Sequence, residues 1–135
     1  MIVVDTNVIS YLFIASELSD QVEQLLAKGI HWAAPSLWRS ELRNVLATYL
    51  KQNLLDLDKA LQIISEAEQL MKDSEYQVVS SQVLRLSKES GCSAYDCEFV
   101  ALAMDLNVPL VTYDKKLMTQ FPQVAIPLDE FLSSY

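Results

Sequence analysis

The sequence predicts one α/β domain in which a short parallel β-sheet is flanked by α-helices. Short strand-like runs alternate with helical segments along the whole chain, the order that parallel strands joined by helical crossovers produce. Apolar residues make up 51% of the 135 positions, whereas glycine and proline number only two and four, so a compact core is expected and long loops are not. The length fits a single domain over residues 1–135, and no repeat, linker or low-complexity stretch divides it.

The elements follow in order. Residues 2–4 (IVV) form a β-branched apolar run ending at Asp5, as a buried strand would. A helix is expected from residue 6 to about 15, and a second, capped by Ser19, runs to about 28 and stops at Gly29. Residues 31–34 are a weak strand candidate closed by Pro35-Ser36. Ser36 opens a helix to about Lys51, and Asp56 or Asp58 opens another to about Lys72. A second short strand is expected over 76–79, then a helix over 80–90 that ends at Gly91. Ser93 caps a helix to about Leu106, and Asn107-Val108-Pro109 turns the chain into the strand 110–112. A short helix over 114–121, an edge strand over 124–126 and a last helical turn complete the chain.

Ten Lys and Arg stand against eighteen Asp and Glu, a net charge of −8. That excess argues against a protein that grips nucleic acid with a broad basic surface. It does not argue against metal-assisted chemistry, because a bound divalent ion offsets the charge of its own carboxylate ligands. Cys92 and Cys97, five apart with His31 as the sole histidine, make no plausible zinc site or disulfide and are expected to be reduced thiols. No apolar run reaches the ~18 residues of a membrane span and no charged-then-apolar leader precedes the first strand, so a cytoplasmic protein is expected.

Four acids stand out. Ligands of open parallel sheets bind outside the carboxyl ends of the strands. Asp5 directly follows the first strand, and Asp114 follows strand 110–112 after one residue. Each could equally be a turn residue or a helix cap. Glu41 lies four after Leu37, three after Trp38 and four before Val45, inside its helix's apolar stripe, while Arg39 and Arg43 project from the other side. A carboxylate there is costly unless a basic residue or a metal meets it. Asp96, three before Phe99 and four before Val100, also shares an apolar face, although Ser93 to Asp96 has capping-box spacing that would account for it without catalysis. Glu98 points elsewhere with Leu102 and Asp105, as a surface or rim residue. Converging carboxylates repel one another unless a cation lies among them, and oxygen-only ligands select Mg²⁺ or Mn²⁺.

Four stretches, IVVDTNVIS, PSLWRSELRNVL, SAYDCEFVALA and LVTYDKKL, occur in the order found in PIN-domain nucleases, and the chain resembles in particular the VapC-like toxin ribonucleases of toxin–antitoxin pairs. The resemblance covers essentially the whole chain. It implies that Asp5, Glu41, Asp96 and Asp114 are an acidic quartet holding Mg²⁺ or Mn²⁺, with Asn7 and Thr112 supporting the ligands or a bound water and Thr6 a weaker supporting candidate. It implies hydrolysis of RNA to a 5′-phosphate and a 3′-hydroxyl, with Lys115 and Lys116 as weak candidates for touching substrate phosphate. Its helix over 58–72 is an ordinary amphipathic one, which in relatives also supplies dimer and antitoxin contacts, so a homodimer and a cognate antitoxin are expected partners.

An aspartyl-nucleophile phosphatase would want a second Asp two after the first, where this chain has Asn7, and a phospho-receiver would want an acceptor Asp where residues 76–79 end in serines. The remaining alternative is a catalytically silent PIN-like module that binds RNA or protein. The −8 charge keeps it open, and four mutually repelling acids speak against it.

Overall fold

The structure, a computed structural model, describes residues 1–134. Strands β1 (Ile2–Val4), β2 (Trp32–Pro35), β3 (Glu75–Tyr76), β4 (Leu110–Thr112) and β5 (Ala125–Pro127) form an all-parallel sheet in the order β3-β2-β1-β4-β5. Helices α1 (Thr6–Phe13), α2 (Ser19–Ala27), α3 (Trp38–Lys51), α4 (Leu57–Leu70), α5 (Ser80–Ser90), α6 (Ala94–Leu106), α7 (Lys115–Gln120) and α8 (Leu128–Ser134) surround it. Every residue of β1, β2 and β4 is buried. Because successive strand residues face opposite sides, this means that both faces of the sheet are covered, as the apolar runs predict.

The strand order fixes where a site can form. From β1 the chain builds outward through β2 to β3, then returns to place β4 on the other flank of β1. The direction of winding therefore reverses between β1 and β4, and the crevice at such a reversal lies beside the strands' carboxyl ends. Val3 registers with Leu110 and Val4 with Val111, so the chain leaves both strands at one edge. Helix α6 packs across β1, β2 and β4 and leads into β4 through Asn107, which takes the left-handed conformation (φ 54) that ends a helix. Its first turn consequently sits near the edge where β4 ends.

Local signals match the structure in several places. Asp56 caps α4 by accepting from the Lys59 N–H at 2.8 Å, Ser93 caps α6 by accepting from the Asp96 N–H at 3.0 Å, and Gly91 (φ 74) closes α5. Other expectations are corrected. Helix α1 ends at Phe13, earlier than 15. Leu18, not Ser19, holds the α2 cap position. The Ser19 hydroxyl ties the α1–α2 corner instead, donating to the Tyr11 carbonyl at 2.7 Å and accepting from the Ser16 N–H at 2.9 Å.

Residues 36–37 form a turn, so α3 starts at Trp38, two residues later than expected. Strand β2 is shifted by one residue and includes Pro35, a residue with no ladder N–H. Ala34 donates to the Ser74 carbonyl just before β3 and Ser36 to the Tyr76 carbonyl within it, which leaves Pro35 on the β1 side, where the registered pairs stop at Ala33. Strand β3 covers only Glu75–Tyr76, not 76–79, because it is an edge strand paired for two residues. Helix α7 starts at Lys115 with Asp114 as its cap, and β5 lies one residue beyond its expected range.

Helix α6 departs furthest from its expected form. The run from Phe99 to Ala103 is buried without interruption, Leu102 being only 2% exposed. A helix lying between the sheet and α5 has little free face, so the stripe visible in its sequence is only part of its buried surface. Cys92 and Cys97 are free and buried, as expected for reduced thiols. No helix among the described residues is long and apolar enough to cross a membrane.

Candidate active site

A cleft of about 590 Å³ opens at the edge where β1 and β4 end. Asp5, Thr6 and Asn7 contribute to its lining from the β1–α1 junction, and Asp114 and Leu117 from the exit of β4. One wall is a single stripe of α3 and the turn before it, Leu37, Ser40, Glu41, Asn44 and Val45, whose three-and-four spacing puts them on one helical face. The other wall is the first turns of α6, Tyr95, Asp96 and Phe99. All four acids singled out by sequence thus line one cavity, from four separate elements.

Three of them are helix-start residues. Asp5 caps α1, its Oδ1 accepting from the Val8 N–H at 3.0 Å, while the buried Thr112 hydroxyl donates to Oδ2. Asp114 caps α7, accepting from the N–H groups of Lys116 and Leu117 at 2.9 and 3.2 Å. Asp96 lies in the first turn of α6. The capping role open to Asp5 and Asp114 from their positions in the sequence is therefore real, but it leaves both side chains in the cleft lining, so capping and a site role coexist.

Glu41 is half-buried and held by the Thr6 hydroxyl, which donates to Oε1 at 2.6 Å. Its helix neighbour Arg39 is turned away, chelating Glu75 at 2.6 and 2.7 Å, pairing with Glu68 and lying 5.5 Å from the centre of the Trp38 ring. Arg43 is exposed. No lysine or arginine contributes to the cleft lining among the described residues.

The electrostatics reflect that shortage of positive charge. Burial, only partly offset by the Thr112 and Val8 hydrogen bonds, pushes the Asp5 carboxyl up to about 6, with Asp114 adding to the rise. Glu41 is raised by burial and then by Asp96, against the lowering effect of Thr6. Asp96 is raised by burial and then by Asp114, with Ser93 and Lys116 opposing. Glu98, expected at the surface or rim, has intermediate exposure and is raised by burial and by Glu41, a fifth acid in the same electrostatic neighbourhood. The effects form a connected set of like charges, each of which favours a proton or a cation nearby.

In this conformation no group of three or more His, Cys, Asp or Glu side chains among the described residues stands in a metal-holding arrangement. Asp5, Glu41 and Asp114 instead point at least one oxygen to a local donor. The donor set itself fits a hard divalent cation: several carboxylates, partly desolvated, mutually repelling and without a basic partner in the lining.

The supporting residues sort differently from expectation. Thr6, the weaker sequence candidate, makes a direct hydrogen bond to Glu41, and Thr112 makes one to Asp5 while accepting from the Asp114 N–H at 2.9 Å. Asn7 is exposed in the lining. Lys116 reaches the Gly91 carbonyl at 2.9 Å and tempers Asp96 from outside the lining, and Lys115 is exposed. His31 is also exposed, with Nε2 2.8 Å from the Ser74 hydroxyl. Sequence reasoning passed over Ser40, Asn44 and Tyr95. The first two were legible in principle, being on the helical face that carries Glu41.

The PIN domain family model matches residues 2–125. The chain belongs to the PIN-domain family. A relative named Ribonuclease VapC3, from Pyrobaculum aerophilum, is 28% identical over 129 residues, covering 93% of this PIN domain and 98% of the relative. Among solved structures, PAE2754 from Pyrobaculum aerophilum superposes with a TM-score of 0.73 at 21% identity, over 98% of this chain and 93% of that one. FitAcB from Neisseria gonorrhoeae gives 0.72 at 20% identity, over 95% and 98%.

Proposed function

We propose that this PIN domain is a metal-dependent endoribonuclease, the toxin of a toxin–antitoxin pair, in which Asp5, Glu41, Asp96 and Asp114 hold Mg²⁺ or Mn²⁺. The observation that carries the reading is that four acids from four elements line one cleft whose wall offers no cation. The name of the VapC3 relative supplies the reaction class, and the sequence resemblance supplies an antitoxin partner and a second copy of the chain.

In this mechanism the bound ion would lower the pKa of water and neutralise charge on the phosphate. The chain's own residues set the geometry. Thr112 and the Val8 N–H fix the Asp5 carboxylate, so it is held before a ligand arrives. Thr6 orients Glu41 across the cleft from it, and the α7 N-terminus anchors Asp114. Leu37, Val45, Phe99 and Leu117 give the cleft apolar stretches of wall between its polar groups. Asn7 offers an exposed amide that suits a phosphate oxygen or a water. Hydrolysis by water leaves a 5′-phosphate and a 3′-hydroxyl.

The test is cleavage of single-stranded RNA by the purified chain with Mn²⁺ or Mg²⁺ and with EDTA. Cleavage with metal that EDTA abolishes is expected. No cleavage with either ion and no shift of the melting temperature by metal would instead favour the silent binding module.

Loss of a supporting hydrogen bond should weaken the site without dismantling it. Thr6→Val removes the donor to Glu41 while keeping the side chain's shape, and Mn²⁺ affinity by calorimetry should fall about 10- to 100-fold with little change in melting temperature. Unchanged affinity would show that Glu41 needs no such support.

A further inference from the structure

We infer that Tyr95 is a stacking platform for a nucleobase beside the scissile phosphodiester, and that Asn44 and Ser40 on the facing helix read that base's edge. This rests on the ribonuclease reading and names the part of the substrate that the cleft recognises.

The inference begins from what the cleft lacks. Proteins that hold nucleic acid usually draw their affinity from Lys and Arg on phosphates. Among the described residues, the lining of this cleft contains neither, and its acids repel a polyanion except where an ion is bound. Apart from a bound ion, the lining itself offers a nucleotide only uncharged or acidic groups, so base recognition within the cleft falls to the uncharged ones. Tyr95 is suited to that part. It is 63% exposed and lines the same cavity as Asp96 and the other three acids. At that exposure the ring face is open to a partner arriving from solvent. Every base has a π-face, so an aromatic ring holds an unpaired base without regard to charge.

The opposite wall supplies the polar complement. Ser40 and Asn44 are one helical turn apart on α3, both exposed, and both share the cleft-facing stripe with Glu41. An amide presents a donor and an acceptor side by side, the pattern needed to pair with a base edge. The cleft volume of about 590 Å³ is in the range that takes one small organic molecule, so it accommodates a nucleotide turned out of its strand rather than a duplex.

The experiment measures binding of a mixed-sequence single-stranded RNA with phosphorothioate linkages, which slow hydrolysis, by fluorescence anisotropy in Mn²⁺. The proteins compared are the parent, Tyr95→Ala, Tyr95→Phe and Asn44→Ala, with a duplex of equal length as control. Tyr95→Ala should weaken binding about tenfold or more, Tyr95→Phe should stay near the parent because the ring remains, and the duplex should bind worse than the single strand. Asn44→Ala should weaken binding and relax preference among sequences.

Tyr95→Ala binding as well as the parent, or Tyr95→Phe losing as much as Tyr95→Ala, overturns the inference. Unmodified RNA assayed in parallel separates the two readings. Tyr95-dependent binding without cleavage sinks the ribonuclease and keeps the platform. Cleavage with Tyr95-independent binding does the reverse; no binding by the parent overturns the platform, and the ribonuclease as well if unmodified RNA is also left uncut.

Discussion

Asp96→Asn is expected to abolish metal-dependent RNA cleavage, lowering the rate by about 100- to 1,000-fold or more, while the protein stays folded. The fold should survive because the α6 cap uses the Asp96 backbone N–H, which asparagine retains, and not the carboxylate. The substitution keeps size and removes a charge that burial and Asp114 already oppose, so the metal-free protein should not be weakened. What is lost is negative charge in the cleft lining, and with it one of the four proposed ligands. Cleavage rates with Mn²⁺, measured beside circular dichroism melts of both proteins, check the prediction. A variant that melts like the parent and still cleaves like it removes Asp96 from the quartet.

Asp5→Asn should gain stability relative to the parent as pH rises through about 6 without metal and, at the same time, lose stabilisation by Mn²⁺. The Asp5 carboxyl titrates at about 6 in the fold against an ordinary 3.8. Between those values the folded protein keeps the proton that the unfolded chain has released. The contribution to stability is therefore fully present below the ordinary value and is lost as pH rises through about 6. Above that pH the buried charge costs on the order of 3 kcal/mol.

In EDTA, the difference in unfolding free energy between Asp5→Asn and the parent should consequently grow from pH 4 to pH 7 and then level off. Comparing the two proteins isolates this group from Glu75, whose carboxyl is lowered by Arg39 and gives the opposite trend. Urea unfolding in EDTA across that window measures the difference. A bound cation binds only the folded form and should raise the parent's melting temperature while leaving that of Asp5→Asn nearly unchanged. A flat difference with pH, or equal Mn²⁺ stabilisation of the two proteins, would count against Asp5 as a desolvated ligand.

Glu41 shows how a site residue can announce itself in a linear sequence. Within α3 it interrupts an apolar stripe, and a buried-side acid with Arg39 and Arg43 on the other side needs an explanation from outside the helix. The structure supplies two, the Thr6 hydroxyl and a cleft shared with three other acids. Thr6 could not have been chosen from the pattern, since it is 35 residues away and meets Glu41 only because α1 packs on α3. Glu98 keeps a half-exposed position, in keeping with a surface or rim residue, but burial and the charge of Glu41 both act on it, which the periodicity of α6 does not reveal.

By itself the sequence determined the elements, the parallel sheet they imply, and which acids stand at strand ends or on apolar helix faces. These are local properties: strand and helix periods, capping residues and the left-handed turns at Gly91 and Asn107 act over a few neighbouring positions. Only the tertiary structure decided which of those faces look at one another. The reversal of winding between β1 and β4 brings Asp5 and Asp114 to one edge, and the placement of α3 and α6 beside it sets Ser40, Asn44 and Tyr95 along the same cleft. A cleft is a space between elements, and no periodicity within a single element encodes it.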